Sequence, residues 1–167
     1  MSDKADCLRP ETELVELLKE KNMFAASAES LTGGLVAARI TSVPGASAVF
    51  ECGICSYSNR IKHEVLGVSK ETLEQYSEYS LECAKEMALG AKRISGADIA
   101  VSTTGIAGPS GGSEEKPVGT VYVGIAVKNY TKAYEIHFGS EKSRNEIRSL
   151  TVDVAVEKLL EILKNTE

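Results

Sequence analysis

Apolar positions recur along this chain with two periods, and the places where the period changes mark its elements. Between Pro10 and Lys21, Leu14, Leu17 and Leu18 form an i, i+3, i+4 stripe. That spacing predicts an amphipathic helix with Pro10 at its start, where a missing N–H costs nothing. Met23 to Ala28 is a short apolar run suited to a buried strand. The polar turn Glu29-Ser30-Leu31-Thr32-Gly33-Gly34 breaks it, and Leu35 to Ile40 resumes with helical spacing. The stretch from Gly45 to Lys62 sets Ser47 in a small-residue turn, alternates as a strand, and leaves through Tyr57-Ser58-Asn59-Arg60-Ile61-Lys62. Arg60 to Leu66 reads as a helix ending at Gly67, and Ser69 caps another short one. Ser80 opens a long helix running to about Ile94, with Cys83, Met87 and Ala91 on one face and Gly96 as its stop.

The second half is more strand-rich. Asp98 to Thr104 is apolar enough for a central strand, and Gly105 to Gly119 is a long glycine-rich loop leaving its carboxyl end. Thr120 to Val127 and Lys132 to Phe138 predict a hairpin turning around Asn129-Tyr130. The last helix runs from about Ser143 to Lys164, with Ile147, Leu150, Val154, Leu159 and Ile162 inward. Strands alternating with helices and ending in a hairpin predict an α/β fold: a three-layer α/β/α sandwich around a mixed sheet. One domain is expected over residues 1–167, with its core at about 10–164.

Composition narrows the function classes. A net charge of −5 argues against nucleic acid as the main partner, while saying little about a small anionic substrate. No apolar run is long enough to span a bilayer. The polar, acidic N-terminus resembles neither a signal nor a transit peptide, so a cytoplasmic location is the expectation. Cys7, Cys52, Cys55 and Cys83 show no disulfide framework. Cys52-Gly53-Ile54-Cys55 has the C-x-x-C form but lies in a strand pattern, where residues three apart face opposite ways, so core thiols are expected. No metal-ligand cluster is visible, and no cofactor is expected.

Chemistry-bearing residues gather in a few places. Ser47 stands at the entry of the second strand, with Tyr57 and Lys62 at its exit. A strand advancing about 3.3 Å per residue keeps these ends apart unless the chain bends at Gly53 or the Lys62 side chain folds back. On these residues alone, a core strand with a polar turn at each end is the simpler reading. The turn from Glu29 to Gly34 could bind an anion at a helix N-terminus, or could be a plain cap with glycines for close packing. The Gly105–Gly119 loop fits neither a P-loop nor a dinucleotide fingerprint, but its glycines allow backbone N–H groups to approach a ligand. Arg144 and Arg148 lie one turn apart at the start of the last helix, where an anion would offset their conflict with the helix dipole.

Taken together, Ala28-Glu-Ser-Leu-Thr-Gly-Gly34, Pro44-Gly-Ala-Ser47, Tyr57-Ser-Asn-x-x-Lys62, Thr104-Gly-Ile-Ala-Gly-Pro109, Lys116-Pro-Val-Gly-Thr120 and Arg144-x-x-x-Arg148 resemble the CinA C-terminal domain family. The resemblance runs from about Met23 to the final helix. It implies hydrolysis of the carboxamide of nicotinamide mononucleotide to nicotinate mononucleotide and ammonia. It also implies Ser47 as nucleophile, Lys62 as base, and Tyr57, Thr104 and Arg144 in supporting roles. Relatives often carry a further N-terminal molybdopterin-binding-like domain, and this chain is similar to the stand-alone form. Leu31 stands where many members have cysteine, and the segment from Gly139 to Arg144 is longer than the family's usual form.

Amide hydrolysis by serine needs a base, donors for the oxyanion and a proton for the leaving amine. Neither His63 nor His137 falls in these motifs, so lysine is the expected substitute for a Ser-His-Asp triad. Ser30, Thr32, Gly33, Gly105, Gly108, Gly111 and Gly112 are expected to wall the pocket, with Arg144 or Arg148 on the phosphate. The substrate expected is a small molecule, the assembly a homodimer. The alternative is a nucleotide-binding module, without catalysis, acting through partners.

Overall fold

The computed structural model describes residues 9–166. Five strands form one mixed sheet in the order β2-β1-β3-β4-β5. β1 (Ala25–Glu29), β3 (Ile99–Gly105) and β4 (Thr120–Val127) are buried along their whole length, which is why their sequences are continuous apolar and small-residue runs. β2 (Phe50–Cys55) and β5 (Tyr130–His137) are edges and alternate in exposure. β1 pairs in parallel with β2 and β3, while β3–β4 and β4–β5 are antiparallel. The predicted hairpin is tighter than its sequence suggested: Val127 pairs with Tyr130, so β5 begins two residues before Lys132.

Helices cover both faces. α1 (Pro10–Glu20), α2 (Leu35–Thr41) and α6 (Arg144–Lys164) share one core with Ile99, Val101, Val123 and Ile125. α5 (Leu81–Ser95) packs on the other face, where Cys83, Met87 and Ala91 meet Ala26, Ala28 and Ala100. α3 (Asn59–Glu64) and α4 (Lys70–Gln75) lead into it. The expected three-layer sandwich is therefore present. Ser58, Ser69, Ser80 and Ser143 cap their helices through the hydroxyl, the last within a capping box with Glu146. Among the described residues no helix is long and apolar enough to cross a membrane.

Three local expectations are corrected. Along α6, Ile147 and Leu159 are buried as predicted. Leu150, Val154 and Ile162 are half-buried, and Thr151, Val152, Ala155, Val156, Leu160 and Leu163 complete the face. That helix packs against α1, α2 and two strands, so its buried stripe is wider than a single apolar row. Cys52 is half-buried and Cys55 exposed, because β2 is an edge; Cys83 alone of the described cysteines is in the core, and Cys7 lies outside the described residues. Gly53 makes no bend. The register shift falls between Ala25 and Ala26, and Gly53 instead leaves room for α2, since a Cβ there would meet that of Ala37 at 2.7 Å.

Register fixes where a site can form. Glu29 pairs with Cys55 on one side and Thr103 on the other, so the carboxyl ends of the three parallel strands are level. The chain winds from β1 to β2 on one face and back over β1 to β3 on the other. A crevice opens outside the strand ends at such a reversal, and ligands of open α/β sheets bind there.

Candidate active site

Each parallel strand delivers its next residues into this crevice. Ser30 follows β1, held by its N–H donating to Thr103 O at 2.9 Å, and Ser56 follows β2, with its N–H on Glu29 O at 2.8 Å. β3 ends at Gly105, whose φ of +151° turns the chain into the glycine loop. A side chain there would strike Val121 Cα at 2.6 Å, so glycine is required. Ser30, Leu31, Tyr57, Asn59 and Lys62, from the turns after β1 and β2 and from α3, line the crevice. Glu78 and Tyr79 from the segment before α5, Gly105, Gly108 and Ser110 from the glycine loop, and Arg144 from α6 complete its lining.

Lys62 is the central side chain. It projects from α3 to lie 1 % exposed, with Nζ donating to Ser30 Oγ at 3.0 Å and to Ser56 O at 3.1 Å. Burial pushes its pKa below the ordinary lysine value; the neighbouring Cys83 and Glu78 oppose that shift. The Cys83 thiol is itself pushed up to about 12 by burial, so it stays neutral at working pH and Glu78 is the charged group acting on Lys62. Arg144 spans the mouth, donating from Nη1 to Gly108 O and from Nη2 to the Tyr57 hydroxyl, both at 2.8 Å.

The structure does not bring Ser47 to Lys62. Ser47 is exposed in a single turn of 3₁₀ helix, Ala46–Ala48, beside the amino end of β1, where Ala25 N donates to Val49 O. The whole of β2, roughly 17 Å at 3.3 Å per residue, separates it from the crevice. The expected Ser47–Lys62 pair is thus corrected, and Ser30 stands where that hydroxyl was sought. Thr104 is fully buried and donates to Glu78 O at 2.7 Å, outside the crevice lining.

The other pocket residues divide in the same way. Gly105 and Gly108 line the crevice; Thr32, Gly33, Gly111, Gly112 and Arg148 do not. Arg148 braces the turn after β1, donating to Leu31 O at 2.9 Å and Thr32 O at 3.3 Å, with Gly33 beside it. Of the two readings left open for the start of α2, an anion site or a plain cap, the chain supplies the cap itself. The buried Glu29 carboxylate accepts from the N–H groups of Gly34, Val36 and Ala37 at 2.9–3.0 Å and from Thr32 Oγ1 at 2.7 Å. No external phosphate is needed there. Glu29→Ala should cost at least about 3 kcal/mol, since several buried donors lose their acceptor at about 1–3 kcal/mol each; urea denaturation checks this, and a loss under about 1 kcal/mol would contradict it.

Three residues were missed from the sequence. Lys116, though inside a recognised motif, was given no task; its Nζ donates to Tyr79 O at 2.6 Å, Tyr76 O at 3.0 Å and Ser77 Oγ at 3.1 Å, clamping the glycine loop to the segment before α5. Glu78 and Tyr79 lie in no motif, and only the fold brings them to the crevice.

Comparison with known proteins agrees with this architecture. The family model of the CinA C-terminal domain matches residues 9–163. The CinA-like protein of Thermotoga maritima is 44 % identical over 92 % of this chain, and a relative from Caldicellulosiruptor saccharolyticus, named for competence-damage induction, is 48 % identical over 92 %. The chain spans 37 % and 36 % of the lengths of those curated relatives, about a third. The crystal structure of competence/damage inducible protein CihA from Agrobacterium tumefaciens superposes with a TM-score of 0.85 at 39 % identity, covering 92 % of this chain and 95 % of that one. That of the competence damage-inducible protein A from Klebsiella pneumoniae gives 0.90 at 30 % identity, covering 95 % and 97 %. The chain belongs to the CinA C-terminal domain family.

Proposed function

We propose that this chain is a nicotinamide mononucleotide amidohydrolase in which Ser30 attacks the carboxamide and Lys62 is its base. One observation carries the reading: a buried lysine with a lowered pKa sits 3.0 Å from a serine hydroxyl in the crevice at the strand ends. A nucleophile within hydrogen-bond reach of a base that is itself oriented by a third group is the geometry that acyl transfer needs. Here the third group is Ser56 O, which accepts a hydrogen bond from Nζ and leaves the amine directed at Ser30.

The reaction then balances as follows. Charged Lys62 donates to Ser30 Oγ; once neutral, it accepts from that hydroxyl instead. Oγ bonds to the carboxamide carbon as its proton passes to Nζ, and the carbonyl oxygen becomes an oxyanion. The N–H groups of Leu31 and Ala107, on the crevice wall and without intramolecular partners among the described residues, are its proposed donors. Collapse expels the amine, protonated by Lys62, as ammonia, and leaves an ester on Ser30. Water, deprotonated by the same lysine, cleaves the ester to give nicotinate mononucleotide.

Arg144 is the proposed phosphate contact, because Arg148 is committed to the turn after β1. Nicotinamide riboside should therefore be a poorer substrate than its mononucleotide by roughly tenfold to over a hundredfold, the worth of a charge-assisted contact of about 1.5–3 kcal/mol. Arg144→Ala should erase most of that difference in kcat/KM; equal values for the two compounds in the unaltered protein would remove the assignment.

Release of ammonia from nicotinamide mononucleotide tests the reading as a whole. A second reading, a nucleotide-binding module without turnover, draws on the names of the relatives, which refer to competence and damage and to no reaction. Tight binding of the nucleotide with no ammonia released would favour it.

A further inference from the structure

The crevice holds a carboxylate that the proposed reaction does not use. Glu78 lies between α4 and α5, half-buried, and lines the crevice together with Ser30 and Lys62. Its backbone is fixed from two sides: Thr104 Oγ1 holds its carbonyl, and Lys116 grips the carbonyls of Tyr76 and Tyr79 on either side of it. Its carboxylate nevertheless has no hydrogen-bond or ion-pair partner among the described residues. Two cations share the crevice, and neither is paired with it. Lys62 is engaged by Ser30 and Ser56, and Arg144 by Gly108 and Tyr57.

A carboxylate held in a crevice with no cation in direct contact is a recognition element for something that brings one. Tyr79, next to Glu78 in sequence, and Tyr57 line the same crevice, and an aromatic face also favours a cation. We infer that Glu78, with Tyr79 beside it, selects a cationic ring: an N-alkylpyridinium carboxamide in preference to an uncharged ring of the same shape. This inference rests on the proposed deamidation, whose substrate carries a quaternary ring nitrogen meta to the reacting carboxamide. With the carboxamide at Ser30, that nitrogen lies within one ring of the Ser30–Lys62 pair, the region where Glu78 exerts its field on Lys62. Ribose hydroxyls are the other partners a carboxylate could take, but they are neutral and would leave it with no cation in direct contact.

Nicotinamide mononucleotide and its 1,4-dihydro form share carboxamide, ribose and phosphate and differ in ring charge, so they are the probes. Their Kd values would be measured by calorimetry on the full chain carrying Ser30→Ala to prevent turnover, with Glu78→Gln and Glu78→Asp added in turn. The expected result is a preference of at least about tenfold for the cationic form, falling to within about threefold in Glu78→Gln and largely kept in Glu78→Asp. An unchanged preference in Glu78→Gln overturns the inference. So does equal weakening of both ligands, which would give Glu78 to the ribose, and so does failure of both to bind. Ammonia release by the unaltered protein is scored separately: discrimination without hydrolysis would sink the deamidase reading and leave the role of Glu78 standing.

Discussion

Ser30→Ala is expected to lower kcat for deamidation by at least about a thousandfold, whereas Ser47→Ala should stay within about threefold of the unaltered protein. The contrast follows from which strand ends share an edge of the sheet. Ser30 touches Lys62 at 3.0 Å in the crevice, while Ser47 is an exposed residue at the far end of β2. Among the described residues, the Ser30 side chain makes no hydrogen bond other than that with Lys62, so its removal should leave the fold intact. Comparable loss in the two variants, measured as ammonia release at saturating substrate, would contradict the assignment.

The second large effect concerns Lys62. If its role is to accept a proton, Lys62→Arg should be nearly as damaging as Lys62→Met, because arginine keeps the charge but cannot surrender a proton at working pH. An anchor for the oxyanion or the phosphate would behave differently, and arginine would then retain a good part of the rate. The pH dependence separates the two further. Burial lowers the lysine's pKa in the folded chain, so the neutral base is populated at a lower pH than for a free lysine. kcat/KM should therefore rise with pH through a pKa below about 10.4 and level off above it. Stability carries the same sign: the charged, buried lysine disfavours the folded state at neutral pH. That cost falls away as pH rises from the lowered folded pKa towards the unfolded value. A flat pH profile, or high activity in Lys62→Arg, would remove Lys62 as the base.

Much of the fold could be read from the chain because its signals were local. The fully buried β1, β3 and β4 are continuous small and apolar runs, the helix starts are marked by Ser69, Ser80 and Ser143, and Gly96 in the left-handed conformation stops α5. What local signals could not supply was pairing across the sheet. Ser47 stands near Lys62 in sequence and Ser30 is 32 residues away, yet parallel β1 and β2 carry the residues that follow them to the same edge. Ser47 precedes β2 and is left at the other. The rule that ligands bind beyond the carboxyl ends of parallel strands would have favoured Ser30, had β1 and β2 first been recognised as neighbours.

Two other residues show the same limit. The turn from Glu29 to Gly34 was as compatible with a cap as with an anion site, and the choice depended on the Glu29 side chain reaching back over the start of α2. Arg148 looked equivalent to Arg144 because both sit one turn apart on a helix. Only packing against the turn after β1 commits Arg148 to Leu31 and Thr32 and leaves Arg144 at the crevice mouth.

The central claim is that an ester forms on Ser30 during turnover. The direct measurement is the intact mass of the protein, acid-quenched while it is hydrolysing nicotinamide mononucleotide, followed by peptide mapping. The predicted species is heavier than the chain by the mass of the substrate less ammonia, and it maps to the peptide containing Ser30. It is absent from Ser30→Ala, which also releases no ammonia above background. An adduct on the peptide containing Ser47, or undiminished ammonia release by Ser30→Ala, would contradict the account.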